Sequence, residues 1–135
     1  MAGCVANKPL PFHPRAGQLL VCDFSGFKPP EIGKVRPVII ISPKLPNRSG
    51  LVAVVPLSTT APKKVLPYVC KLSKNYTPWG APTDDSWAKC DLVMNIGLHR
   101  LSSFKVGRRK FVTPQVSGDD LKAIRSAVLA GLGFK

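Results

Sequence analysis

Short apolar runs separated by glycine and proline fill the first two thirds of the chain, and a helical period replaces them near its end. Residues 17–24 (GQLLVCDF), bounded by Gly17 and Gly26, predict a first strand, and residues 25–34 (SGFKPPEIGK) are loop by their Gly and Pro content. Residues 35–42 (VRPVIIIS) are strongly β-branched, which predicts a buried central strand with Pro37 tolerated near its start. A turn over 43–50 leads to a third strand, 51–57 (LVAVVPL), with Ser58, Thr59 and Thr60 at its end. Further strands are predicted over 68–72 (YVCKL), 86–93 (SWAKCDLV) and 108–112 (RRKFV). Between the first two of these lies a long loop, 75–85 (NYTPWGAPTDD), of a length that often carries function or mobility. From Ser117 the period changes. Ser117 and Asp120 make a helix-start signal, with Val116 and Leu121 placed as the hydrophobic staple. Leu121, Ile124 and Val128 then recur at helical spacing, and Gly131 suits the stop just beyond the helix. The expected class is mainly β with a C-terminal helix (α+β): a small, mostly antiparallel β-barrel closed by that helix. One domain is expected over 15–132, behind a flexible Pro-rich leader at 1–14.

Composition sharpens this picture. A chain of 135 residues suits one domain, and 44% hydrophobic residues are enough for a core without staples. Fourteen Pro and eleven Gly argue against a long-helix bundle. Twenty Lys and Arg against seven Asp and Glu give a net charge of +13. Divided after Pro67, the two parts carry +7 and +6, so the charge belongs to the body and not to a tail. Such a field favours a polyanion, because each phosphate contact releases condensed counterions. An acidic protein partner fits as well, whereas an anionic membrane calls for a basic amphipathic helix that the sequence does not show. The four cysteines form no CxxC pair and stand with only two histidines, His13 and His99, which argues against structural zinc. Cys22, Cys70 and Cys90 read as small apolar residues within strands, in a reducing compartment. The leader MAGCVANKPLPFHP holds no apolar stretch of signal-peptide length, and no run reaches the roughly twenty apolar residues that span a bilayer. The cytoplasm is the expected location.

Acidic residues are few enough to sort. Asp119 and Asp120 fall in the first helical turn, where the macrodipole explains them, and Asp84 and Asp85 lie in the long loop. Asp23, Glu31 and Asp91 remain for chemistry, too few for the carboxylate cluster of a two-metal nuclease. Arg36 opens an apolar strand, either as a solvated strand-end charge or as a fixed guanidinium that grips a phosphate. Ser58, Thr59 and Thr60 at a strand end serve either local turns or a phosphate oxygen. Lys89 and Asp91, two apart in a strand, share a face opposite to Cys90. They make either an ordinary ion pair or a groove that joins acid, base and charge stabilisation. Trp79 and Tyr76 either pin the long loop or offer stacking faces to unpaired bases. Lys105, Arg108, Arg109 and Lys110 read as a solvated face, and neither histidine has a nucleophile partner.

In order and in spacing, GQLLVCDF (17–24), EIGKVRPVIIISP (31–43), VVPLSTT (54–60), KCD (89–91) and the helix from about Ser117 resemble the MazF/PemK family of toxins from toxin-antitoxin modules. The resemblance covers residues 15 to 132. It implies an SH3-like, CcdB/MazF-type barrel that forms a homodimer. The implied activity is metal-independent, cofactor-free and sequence-selective cleavage of single-stranded RNA, usually mRNA, restrained by a cognate antitoxin. Position by position, Arg36 matches the catalytic arginine and Ser58, with Thr59 beside it, the strand-end threonine. Asp91 matches the acid–base aspartate, and Lys89 stands where a catalytic arginine does. Ser for Thr keeps the hydroxyl; Lys for Arg keeps the charge and loses the planar fork. Lys28, Glu31 and Lys34 in the loop before Arg36, with Trp79, are the candidate RNA contacts. The chemistry implied is attack by the 2′-hydroxyl, giving a 2′,3′-cyclic phosphate and a 5′-hydroxyl. Asp91 would take the proton, Arg36 would hold the phosphate with Ser58 or Thr59, and Lys89 or Arg36 would assist the leaving oxygen. Two rivals stand beside it: a CcdB-like gyrase poison, which has no use for the cation–hydroxyl cluster, and a plain nucleic-acid-binding barrel.

Overall fold

The computed structural model describes residues 10–48 and 50–134. The β-branched and apolar runs form the central strands: β1 (Leu19–Asp23), β2 (Val35–Ile40) and β3 (Leu51–Ser58). Around them lie β4 (Val69–Lys71), β5 (Trp87–Lys89), β6 (Met94–Gly97) and β7 (Leu101–Ser102). Their order in one antiparallel sheet is β4-β5-β3-β2-β1-β7, with β6 paired to the first half of β3. A separate hairpin, β8 (Phe104–Gly107) with β9 (Lys110–Val112), precedes helix α1 (Gly118–Gly131). The mainly antiparallel β class with a C-terminal helix is thus the observed one.

Both faces of this sheet are buried over its centre. Strand alternation sends Leu19, Val21, Ile39, Val55 and Leu57 to one face, where Ile124, Ala127 and Val128 of α1 cover them. Leu20, Cys22, Val38, Ile40 and Val54 go to the other face and pack with Phe24, Ile96 and Leu101. Two covered faces explain why these strands read as continuous apolar runs and not as alternating ones. Arg125 ties α1 to the end of β2 by donating to the Ile41 carbonyl at 2.9 Å. Leu10 packs against the second cluster and Pro14 is buried; the remainder of the expected leader, residues 1–9, lies outside the described residues.

Three expectations are corrected, and one stretch without an assignment gains strands. Residues 86–93 are not one strand, because β5 ends at Lys89 and Cys90–Leu92 forms a 3₁₀ turn. Burial of Cys90 in the first cluster, and its amide bond to the Tyr68 carbonyl, turn the chain there so that β6 reaches the other half of β3. Residues 94–107 supply three short strands that their broken patterning hides. Arg108 and Arg109 form the β8–β9 turn and not part of a strand, with Arg109 in the left-handed region at φ 57°. Gly131 closes the helix from inside. The left-handed residue is Gly133, whose amide bonds to Ala130 while that of Phe134 bonds to Leu129, the two bonds of a Schellman stop.

Candidate active site

The second face of the sheet is covered only in part. Beyond Val38 on β2, and beyond Val54 and Pro56 on β3, alternation places polar side chains on that face. Arg36 follows from Val38 on β2, and Ser58 follows from Val54 on β3. Hydrogen-bonded pairing of these strands stops at Val38–Pro56, next to two prolines, Pro37 and Pro56, that have no amide hydrogen. The register carried two residues further sets Arg36 against Ser58. On its other side Ser58 pairs with Trp87 of β5, which in turn pairs with Lys71 of β4. Arg36, Ser58, Trp87 and Lys71 therefore make one row across four strands, with neighbours about 5 Å apart at Cβ. Lys89 lies on the same face, two residues beyond Trp87.

The 3₁₀ turn then carries Asp91 beside Lys89. Both line an open cleft of about 380 Å³, together with Thr60, Lys63 and Tyr68. Ser58 joins the row to the cleft, since its Oγ accepts the Thr60 amide at 3.1 Å. That bond occupies an oxygen lone pair and leaves the hydroxyl hydrogen to donate. The Nε–H of Arg36 donates to the Gly33 carbonyl at 3.2 Å, which orients the guanidinium without using its terminal amino fork. Arg36 is half-buried, whereas Lys89 and Asp91 are exposed. Thr59 is exposed and does not line the cleft; Thr60, Lys63 and Tyr68 do, and sequence spacing gives no signal for the last two.

The β1–β2 loop approaches this row from the Arg36 side. Lys28 and Glu31 exchange bonds, the Glu31 amide to the Lys28 carbonyl at 2.8 Å and the Lys28 amide to the Glu31 carboxylate at 3.1 Å. The Lys34 carbonyl takes the Phe24 amide. Phe27 stands edge-on to Phe24, and Arg100 covers its ring at 4.9 Å while donating to the Asp23 and Ser25 carbonyls. Arg100 is therefore the clamp of the loop, a role the sequence does not announce. The side chains of Lys28, Glu31 and Lys34 stay exposed.

Trp79 is not brought to the row. It stands edge-on to Phe104 at 5.0 Å, in a loop knotted around the buried Asn75. The amide nitrogen of Asn75 donates to the Trp79 and Ala81 carbonyls, and its oxygen accepts from Thr77. Tyr76 of the same loop bonds Asp120 and Ser117 at the N-terminus of α1, while Asp91 touches the other end of that helix at Gly131. Fourteen helical residues separate those ends by about 20 Å.

Burial pushes the thiols of Cys22 and Cys90 up to about 12, so neither supplies a nucleophile near neutrality. Among the described residues no three His, Cys, Asp or Glu side chains come together as a cation would require.

The model of the PemK-like, MazF-like toxins of type II toxin-antitoxin systems matches residues 15–131. No curated protein matches by sequence. Among solved structures, MazF from Deinococcus radiodurans superposes with a TM-score of 0.67 at 22% identity, over 91% of this chain and 99% of its own. An endoribonuclease in complex with its cognate antitoxin, from a mycobacterial species, gives 0.63 at 21%, over 91% and 98%. The toxin MazF-mt6 from Mycobacterium tuberculosis gives 0.58 at 18%, over 87% and 97%.

Proposed function

The chain belongs to the PemK-like, MazF-like toxin family of type II toxin-antitoxin systems, and from that premise we propose that it is an endoribonuclease that cuts single-stranded RNA without a resident metal. The observation that carries this reading is the open edge of one sheet face, where Arg36 and Ser58 meet the cleft of Lys89 and Asp91. RNA brings its own nucleophile, the 2′-hydroxyl, so the protein needs only proton transfer and a hold on the phosphate. Asp91 accepts the 2′-hydroxyl proton, and the Arg36 fork takes two non-bridging oxygens of the pentacoordinate phosphate. The Ser58 hydroxyl donates to one of those oxygens, and Lys89 protonates or neutralises the departing 5′-oxygen. The products are a 2′,3′-cyclic phosphate and a 5′-hydroxyl.

The partners follow from the same premise. The mycobacterial relative is seen with its cognate antitoxin, and a net charge of +13 suits an acidic antitoxin segment here. We assign the protein to the cytoplasm as a homodimer. Free thiols at Cys22, Cys70 and Cys90 support a reducing compartment. Among the described residues no helix is long and apolar enough to cross a membrane.

The test is to map cut ends on a long defined RNA with and without EDTA. Equal cleavage in both, with ends that a kinase labels without prior dephosphorylation, is expected. A single 2′-deoxy nucleotide at the cut position should block it. Chelator-sensitive cutting, or cutting at the deoxy position, overturns the mechanism. Supercoiling inhibition with intact RNA would point instead to the gyrase poison.

Gly131 gives a second expected result. A Cβ there would lie 3.2 Å from the Asp91 Cα and 3.2 Å from the Tyr68 Cβ, so the last turn of α1 fixes the height of the Asp91 turn. Alanine favours the helix by about 1 kcal/mol but presses on backbone. Gly131→Ala is therefore expected to lower kcat about tenfold through displaced Asp91, with thermal stability nearly unchanged; differential scanning fluorimetry and single-turnover cleavage measure the two.

A further inference from the structure

Trp87 is the large aromatic side chain in the row that holds Arg36 and Ser58, and nothing in the chemistry above uses it. It sits directly across from Ser58 on one side and Lys71 on the other. Its indole N–H is fully covered and has no acceptor. With that N–H covered, the indole can offer an incoming group its face and not its polar edge. The half-buried ring is met by an exposed cation: Lys71 Nζ lies 5.6 Å from the ring centroid, and the Lys71 side chain is 54% exposed, bridged to Asp85 at 3.4 Å. A flat, electron-poor group can replace a lysine ammonium over an indole, and the displaced ammonium is then available to the sugar-phosphate chain.

Resting on the ribonuclease reading, we propose that Trp87, and not Trp79, is the base-binding wall of the site. The unpaired base next to the scissile phosphate stacks on the Trp87 indole while Ser58, one strand away, holds that phosphate. The spacing agrees, because cross-strand neighbours stand about 5 Å apart, close to the reach from a phosphate to its own base. Trp79 packs on Phe104 near the opposite end of α1.

The chain's two tryptophans make the test direct. Trp79→Phe leaves Trp87 as the sole indole, in an otherwise native protein. Titrated with a 2′-O-methyl oligonucleotide that cannot be cut, this variant should show saturable quenching of Trp87 emission, at the concentration where anisotropy of a labelled oligonucleotide reports binding. Trp87→Phe should give little change in Trp79 emission at the same saturation. Trp87→Leu, checked for an unchanged melting curve, should raise KM about tenfold and leave kcat within about twofold. Binding by anisotropy with unmoved Trp87 emission, or quenching confined to Trp79, overturns the proposal and leaves the nuclease intact. Absence of any oligonucleotide binding overturns the nuclease reading itself.

Discussion

Arg36→Ala should reduce the single-turnover cleavage rate by about a hundred- to a thousandfold, the effect of deleting one preorganised donor to a developing charge. The effect is large because the guanidinium is oriented before substrate arrives: its Nε is engaged by the Gly33 carbonyl, and its strand is clamped between β1 and β3. Loss of that one part-buried bond costs about 1 kcal/mol of stability, so circular dichroism and the melting curve should barely move. Arg36→Lys separates charge from geometry. A lysine keeps the cation but neither the fork nor the Gly33 bond, and should recover only a small part of the rate. RNA affinity measured with an uncleavable oligonucleotide should fall far less than the rate, since a net charge of +13 is spread over the whole chain. An Arg36→Ala protein that cuts at the wild-type rate removes Arg36 from the mechanism.

What the sequence discloses, and what it hides, follows from how each residue acts. Arg36 and Ser58 are visible in the chain because strand ends are, and a guanidinium that opens VRPVIIIS is conspicuous. The helix start is visible too: Ser117 Oγ accepts the Asp120 amide at 3.1 Å, a local bond that local spacing encodes. Trp87 is hidden. Its part in the row depends on β5 lying against β3 in one particular register, and SWAKCDLV alone cannot say which strand will lie beside it. Trp79 is conspicuous because it sits in a Pro-rich loop, yet Asn75 ties up that loop and the Trp79 ring packs on Phe104. Asp91 kept its place beside Lys89 for a reason the sequence misstates. Strand alternation predicts a shared face, but a 3₁₀ turn and contact with Gly131 deliver it to the cleft.

Asp120 is the plainest case of a residue whose local explanation is incomplete, and it carries the largest expected loss of stability. The helix macrodipole accounts for an acid at that position, but its Oδ2 also accepts from Ser73 Oγ at 2.6 Å, Tyr76 Oη at 2.6 Å and the Ser73 amide at 3.2 Å. These bonds span more than forty residues and fasten the β4–β5 connection to the start of α1. Burial pushes the Asp120 carboxyl up, and the bonds from Ser73, Tyr76 and Ser117 overcome that push and hold it below its ordinary value of 3.8. Asp120→Ala, which strands several donors at once, should destabilise the protein by about 3 kcal/mol, or about 10 °C in Tm. Asp120→Asn keeps the shape, removes the charge, and should lose roughly half as much. The pH dependence has a definite sign. With the folded value depressed, the unfolded chain takes up the proton first as pH falls, so the carboxylate's contribution is complete at neutrality. It declines once pH drops below about 4, the unfolded value, and is gone below the folded one. Urea melts of wild type and Asp120→Asn should therefore differ most at pH 6–8 and draw together as pH falls below about 4. A gap that stays constant over that range would mean that the charge is not what stabilises the junction. Cleavage by Asp120→Asn at neutral pH should stay near the wild-type rate while the protein is folded, because the junction lies at the helix end away from Asp91.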